Sequence, residues 1–410
     1  MKCCSVLIFV VCANQTFGQQ LSKQMYAKDI AFIYTHLKQS ASYKTQADRH
    51  KQVDECYQRL LKTSDDSVSK FNAYMDYHEL MDEVLDFHNS IIGNSPKYSL
   101  EDLKDSSTLA KMHADNKHIF PNIQMNLDSL ETVLSETDTK ELTGIYHYKN
   151  IVEIALYKQA AHYKGIVLRS KLPAWSRGEV IFSLIPRGDK GFRMFMGAYV
   201  DKQMLSVPEY FKEGLLLSSG WSKKNRSLGK FPMETQRVDY GFRKLTQDVD
   251  YVCIPSFSAS EPKLNEAILF YEKLRNIDLA KHLIVDVRGN SGGGNKNSNK
   301  LYQILSTYSG CLHVLVDRRT WSNAEQFVIR LKALPNVKVF GDRTGGVLTY
   351  GRNTGRELKT PSGFFKIAFT DMKEGWKHYL PYEGIGVEPD VYLPYDSDWI
   401  EEVLSVLDGK

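Results

Sequence analysis

The sequence predicts an α/β protein with a helical N-terminal region and a small β-rich middle region. Three observations carry this reading. Helical periodicity with few turn residues runs over about 21–140, and short alternating strands rich in tyrosine, valine and isoleucine fill about 142–245. From about 246 onward, strands alternate with helices. At 410 residues the chain is too long for one ordinary core and is expected to form two or three. The expected divisions are an export signal at 1–18, a helical domain at 19–140, a β-rich domain at 141–245, an α/β domain at 246–397 and a C-terminal helix at 398–410.

Taken in order, Lys2, the short apolar stretch 6–11 and the small residues around Thr16 and Gly18 have the layout of a cleavable export signal. That stretch is too short to span a bilayer, and no other segment approaches spanning length, so no stable membrane insertion is expected. The signal holds three of the six cysteines. Cys56, Cys253 and Cys311 remain, an odd and sparse set that allows one bridge but forms no disulfide framework.

In the helical region the clearest stripe is Phe71, Tyr74, Met75, His78, Met81, Val84, Leu85, His88, Ile91 and Ile92. Their steps of three and four predict one amphipathic helix, stopped by Gly93, Asn94 and Pro96. Strands are then expected at 144–148, 151–157, 163–168, 179–185 and 192–199, as a small antiparallel sheet or barrel. In the last region the strands are 251–254, 282–287, 312–316 and 337–340, and the helices 264–275, 299–308 and one following Ser322. Alternation of this kind implies strands buried on both faces, with ligand chemistry where the strands end in turns.

Composition is that of an ordinary globular protein: 42% hydrophobic, 25% charged and a formal charge of +4, with no basic run interleaved with aromatics. Nucleic acid is therefore not an expected partner. His78-Glu79 lacks the second histidine of a zinc helix, and no calcium loop occurs. Gly289 to Gly294 has the gap of a phosphate loop, but Asn295 stands where lysine is required.

Two turns could carry chemistry. The strand 284–287 delivers Gly289-Asn-Ser-Gly-Gly-Gly294, whose glycines let backbone NH groups approach a reacting oxyanion. The strand 312–316 delivers Thr320-Trp-Ser322-Asn-Ala-Glu325, which presents a hydroxyl at a helix start. Alone, Ser322 reads as well as a helix cap, since Glu325 completes a capping-box pattern.

Read together, the run 283–293, the Ser322-Asn-Ala-Glu turn, the Gly341-Asp-Arg-Thr-Gly-Gly346 turn and the Glu383 to Asp390 segment resemble, in their order, the tail-specific or C-terminal-processing serine peptidases. The resemblance is to the tricorn-core-like branch, and it covers roughly 246–395. It implies a core of the ClpP and crotonase type, a polypeptide substrate, a Ser322 acyl-enzyme and no metal or organic cofactor. The NH of Asn323 and one of Gly292 or Gly293 would form the oxyanion hole, each donor typically supplying about 3 kcal/mol of transition-state stabilisation.

One departure narrows the mechanism. Members with a lysine base carry it just after the Gly-x-x-Thr-x-Gly turn, where this chain has Val347. The tricorn-like branch uses a histidine from the helical region, and Asp86-Phe87-His88-Asn89 resembles that segment, with a bulky Phe87 where a small residue is usual. His88 is thus the expected base, and Glu383 its expected orienting carboxylate, with Asp86 the local alternative. Two rivals follow: a binding protein of the same fold in which Phe87 misplaces the imidazole, and a crotonase-type acyl-thioester enzyme. No peptide-binding module of the kind many members insert is evident, which leaves substrate capture to the β domain or to sheet-edge pairing in the cleft.

Overall fold

The structure, a computed structural model, describes residues 20–62, 65–116, 119–188, 191–224, 226, 239–353 and 355–409. The expected export signal lies outside the described residues. Among the described residues, no helix is long and apolar enough to cross a membrane.

The last region is a six-stranded sheet in the order Gly241–Lys244, Val249–Cys253, His282–Asp286, Cys311–Val316, Val337–Gly341 and Val391–Tyr392. The first pairing is antiparallel and the rest are parallel. Its central strands are apolar on both faces because both are covered. Leu283, Val285 and Val314 pack toward helices Lys263–Arg275, Asn295–Leu305 and Asn323–Lys332, while Ile284, Leu315 and Phe340 pack toward helix Trp399–Leu407. Parallel pairing also puts the C-terminal ends of neighbouring strands side by side. Asp286 pairs with Leu315, so the turns following these two strands emerge next to each other.

The middle region is a nine-stranded antiparallel sheet. It contains Gly144–Tyr148, Val152–Gln159, His162–Ser170, Val180–Pro186 and Phe192–Gly197, close to the expected strands, extended by Met204–Glu209 and three two-residue strands between 211 and 223. It shares one core with the N-terminal helices: Tyr74 meets Phe195 edge to face with ring centroids 5.8 Å apart, and Phe71 and Phe120 join Trp175.

The long helix expected through residue 92 ends early. Helix Lys70–Asp82 stops, and residues 83–89 form a loop. Ser90–Gly93 is a strand that pairs antiparallel with Phe365–Ala368. The apolar spacing did not separate the two states because Ile91 is buried in a strand as it would have been in a helix, and the β-branched pair Ile91-Ile92 finds a partner far along the chain. The helix expected from 299 begins at Asn295, directly after the glycine turn. Among the described residues, Cys56, Cys253 and Cys311 form no disulfide.

Candidate active site

The glycine turn is held from beneath by side chains. Asp286, fully buried, accepts Arg288 Nη2 at 2.7 Å and the Tyr251 hydroxyl at 2.9 Å. Asn290 is equally buried. Its Nδ2 donates to the Ile254 carbonyl at 3.0 Å, its Oδ1 accepts the Gly292 amide at 2.9 Å, and its own carbonyl accepts the Trp321 amide at 2.9 Å. Two further bonds, Phe257 N to Gly292 O and Gly294 N to Phe257 O, complete the turn.

Of the two expected glycines, then, Gly292 has its amide occupied by Asn290. The Gly293 amide has no acceptor among the described residues, and Gly293 is exposed. A single exposed donor is left because the Asn290 side chain folds back two residues, a local competition that short amide side chains favour in turns.

Ser322 follows strand Cys311–Val316 at the first turn of helix Asn323–Lys332, with φ 57° and ψ −126°. A non-glycine residue held at positive φ stores strain and occurs where the surroundings fix it. Here they do. The Ser322 amide donates to the Val347 carbonyl at 2.7 Å and to Glu325 Oε2 at 3.0 Å. Glu325, fully buried, also accepts the Val347 and Gly346 amides at 2.9 and 2.8 Å and the Thr344 hydroxyl at 2.5 Å. All four acceptor positions of the carboxylate are thus met by donors. The capping-box pattern is real in its Glu325 half, while the Ser322 hydroxyl faces His88, so the cap and the reactive hydroxyl do not compete. The Asn323 amide, first in the helix, has no acceptor among the described residues.

His88 lies in the loop 83–89, tethered on both sides. Gln46 pairs with the Leu85 backbone at 3.1 Å in both directions, and Thr370 donates to Asp86 Oδ2 at 2.5 Å and to Asn89 Oδ1 at 3.0 Å. The result brings His88 Nε2 to 2.8 Å from Ser322 Oγ, across 234 positions of sequence.

Neither expected orienting carboxylate touches the ring. Glu383, buried, accepts the Phe87 amide at 3.0 Å and the Leu348 and Thr349 amides at 2.9 and 2.8 Å. Asp86 accepts the His88 backbone amide at 3.1 Å. Both therefore fix the loop that carries the imidazole. His88 Nδ1 is buried without a partner, and the tautomer that accepts from Ser322 must carry its proton there, at a cost of about 1–3 kcal/mol. Phe87 does not displace its neighbour: its ring lies 4.4 Å from the Arg187 guanidinium and 5.3 Å from that of Arg193.

Burial, and next the charge of Arg352, push His88 down to about 4, so the ring is neutral at ordinary pH. Burial raises Asp86, Glu325 and Glu383 above the usual carboxylate range, against the donors that each accepts. Because the lowered His88 is a free base down to about pH 4, the acid limb of kcat/KM is expected below the 6.5 of an ordinary imidazole. Arg352 donates to Ser90 Oγ at 3.2 Å. Removing its charge in Arg352→Gln stabilises the imidazolium, which moves the limb upward by roughly half a unit. A pH–rate profile that is unmoved in the variant contradicts this.

Two helix N-termini, Asn295 and Asn323, converge on the open amides of Gly293 and Asn323, and their dipoles favour negative charge between them. Next to that spot sit a hydroxyl and a neutral imidazole in hydrogen-bond contact. Such an arrangement can carry out acyl transfer through a serine hydroxyl. Residues 294–393, about a quarter of the chain, match the family model described as Peptidase family S41. Ser322, Asn323 and Glu383 fall inside the matched segment, and His88 falls outside it.

Similar solved structures include a lipoprotein from Streptococcus agalactiae, at 22% identity over 42% of this chain and 70% of that one, with a TM-score of 0.31. The photosystem II D1 C-terminal processing protease is similar at 12% identity over 90% and 94%, with a TM-score of 0.37. Mature CPAF is similar at 12% identity over 94% and 96%, with a TM-score of 0.43. At these scores the likeness assigns no residue its role. No curated protein sequence matches the chain.

Proposed function

We propose that the protein is an exported serine endopeptidase that cleaves polypeptide chains through an acyl-enzyme on Ser322. Ser322 Oγ attacks the peptide carbonyl carbon while its proton passes to His88 Nε2. The carbonyl oxygen, now negative, is held by the amides of Gly293 and Asn323, both free in the resting chain. The C–N bond breaks as His88 returns the proton to the leaving amine. Water then attacks the ester with the same base, its proton again passing to Nε2, and Ser322 Oγ leaves with that proton. Glu383 acts as a positioning residue on the Phe87 amide, and Asp86 likewise on the His88 amide.

The observation that carries this reading is the 2.8 Å contact between His88 Nε2 and Ser322 Oγ beside two unoccupied amides. A serine-directed fluorophosphonate tests it. The folded protein is expected to gain one adduct, mapped by mass spectrometry to Ser322, and to lose hydrolysis of an unfolded protein substrate in parallel. One observation favours a second reading, an inert binding protein of the same fold: His88 Nδ1 lacks the carboxylate that usually stabilises the imidazolium. A folded sample that neither labels nor hydrolyses would support that reading instead.

A further inference from the structure

The two open amides belong to different elements, and their separation decides whether both can grip one oxygen. Gly293 sits on the turn before helix Asn295–Leu305, and Asn323 begins helix Asn323–Lys332. Hydrogen bonds within each turn shape that turn but do not fix one against the other. Before the amide pair in sequence, three bonds join the turns: the Trp321 amide donates to the Asn290 carbonyl at 2.9 Å, the Gly289 amide to Asp317 Oδ1 at 2.9 Å and the Thr320 hydroxyl to the Val287 carbonyl at 3.0 Å. None of them reaches the segments that follow Gly292 and Ser322.

Beyond those residues the tie is made by side chains. Asn323 Nδ2 donates to Asn295 Oδ1 at 2.7 Å and, more weakly, to Gln326 Oε1 at 3.3 Å. Gln326 Nε2 in turn donates to the Leu348 carbonyl at 2.7 Å. The Leu348 amide is bound by Glu383, which also holds Phe87 beside His88. A belt of hydrogen bonds thus runs from the glycine turn, past the helix carrying Ser322, to the histidine loop. Asn323 is only 6% exposed, so its amide works in a water-poor setting. Among the described residues, the Asn295 side chain makes no other hydrogen bond.

We propose that the Asn295 and Asn323 side chains form a clasp that sets the spacing of the Gly293 and Asn323 amides, making Asn295 a positioning residue for peptide hydrolysis. This rests on the reading of those amides as the oxyanion hole. The clasp contributes nothing to ground-state substrate binding. It acts when charge develops on the carbonyl oxygen, so its loss falls on kcat.

The test is Asn295→Ala, at a first helical position where alanine is well tolerated. The expected result is a kcat about tenfold lower, KM within about twofold and fluorophosphonate labelling slowed by a similar factor. The melting temperature is expected to stay within about 2 °C. In a double-mutant cycle with Asn323→Ala, the losses should overlap rather than multiply, because either change opens the same clasp. An Asn295→Ala protein with wild-type kcat and labelling rate, a loss confined to KM, or multiplicative losses in the cycle would overturn the inference alone. A folded wild-type chain that fails to label overturns the oxyanion reading and the clasp with it.

Discussion

Alanine in place of Ser322 is expected to lower kcat/KM by roughly four orders of magnitude or more, and His88→Ala by a similar factor, with the double variant no worse than either. The two side chains act as a unit through their 2.8 Å contact. Once the hydroxyl is gone the imidazole has no proton to take, and without the base the hydroxyl is a weak nucleophile at its ordinary pKa. Folding should survive both changes, since the Ser322 backbone is anchored by Val347 and Glu325 and the 83–89 loop by Gln46, Thr370 and Glu383, none of which needs either side chain. Steady-state kinetics on all three variants checks this. Losses that multiply in the double variant would mean that the residues work separately, and an active Ser322→Ala would remove the serine from the chemistry.

The second large effect is expected from a single methyl group. Gly292 has φ +91°, and a Cβ built there lies 2.8 Å from Asn323 N, from Ser322 Cβ and from the Trp321 carbonyl oxygen. Two of those three atoms are backbone and cannot swing aside, so Gly292→Ala must push the nucleophile turn away from the glycine turn. A displacement near 1 Å at reacting groups can cost about a hundredfold, and here the oxyanion amide moves together with the hydroxyl. We expect a loss of about a thousandfold in kcat/KM. Gly289→Ala is the control. Gly289 also has positive φ, +72°, but its nearest foreign atom is Arg319 Nη2 at 4.0 Å. That variant should lose only about 1 kcal/mol of stability and keep most of its activity. Equal activity in both variants would show that the close approach of the two turns is not what shapes the site.

Much of this site was legible in the sequence because its parts sit where strands end. The parallel strands 282–286 and 311–316 read clearly from their apolar runs, and glycines at 292 and 293 signalled a close approach that the structure shows against Asn323 and Phe257. Ser322 and His88, 234 positions apart, were paired only through a resemblance, because no periodicity reports a contact at that separation. Three details were not legible for a common reason, the destination of a particular polar group. The Gly292 amide turns to Asn290, Glu383 turns to backbone amides instead of the imidazole, and Glu325 gathers four donors from two turns. Each is a choice among nearby acceptors that only the folded geometry makes. The helix expected through 92 failed differently: spacing of three and four fits a buried strand as well when the run is short, and the partner strand lies about 275 residues further on.

The account stands most directly on where one oxygen sits. A crystal structure of the fluorophosphonate adduct would locate the phosphoryl oxygen, which stands in for the carbonyl oxygen at the transition state. The account predicts phosphorus bonded to Ser322 Oγ and that oxygen within about 3 Å of both the Gly293 and Asn323 amides. An adduct on another residue, or an oxygen turned toward solvent with those amides empty, would contradict it.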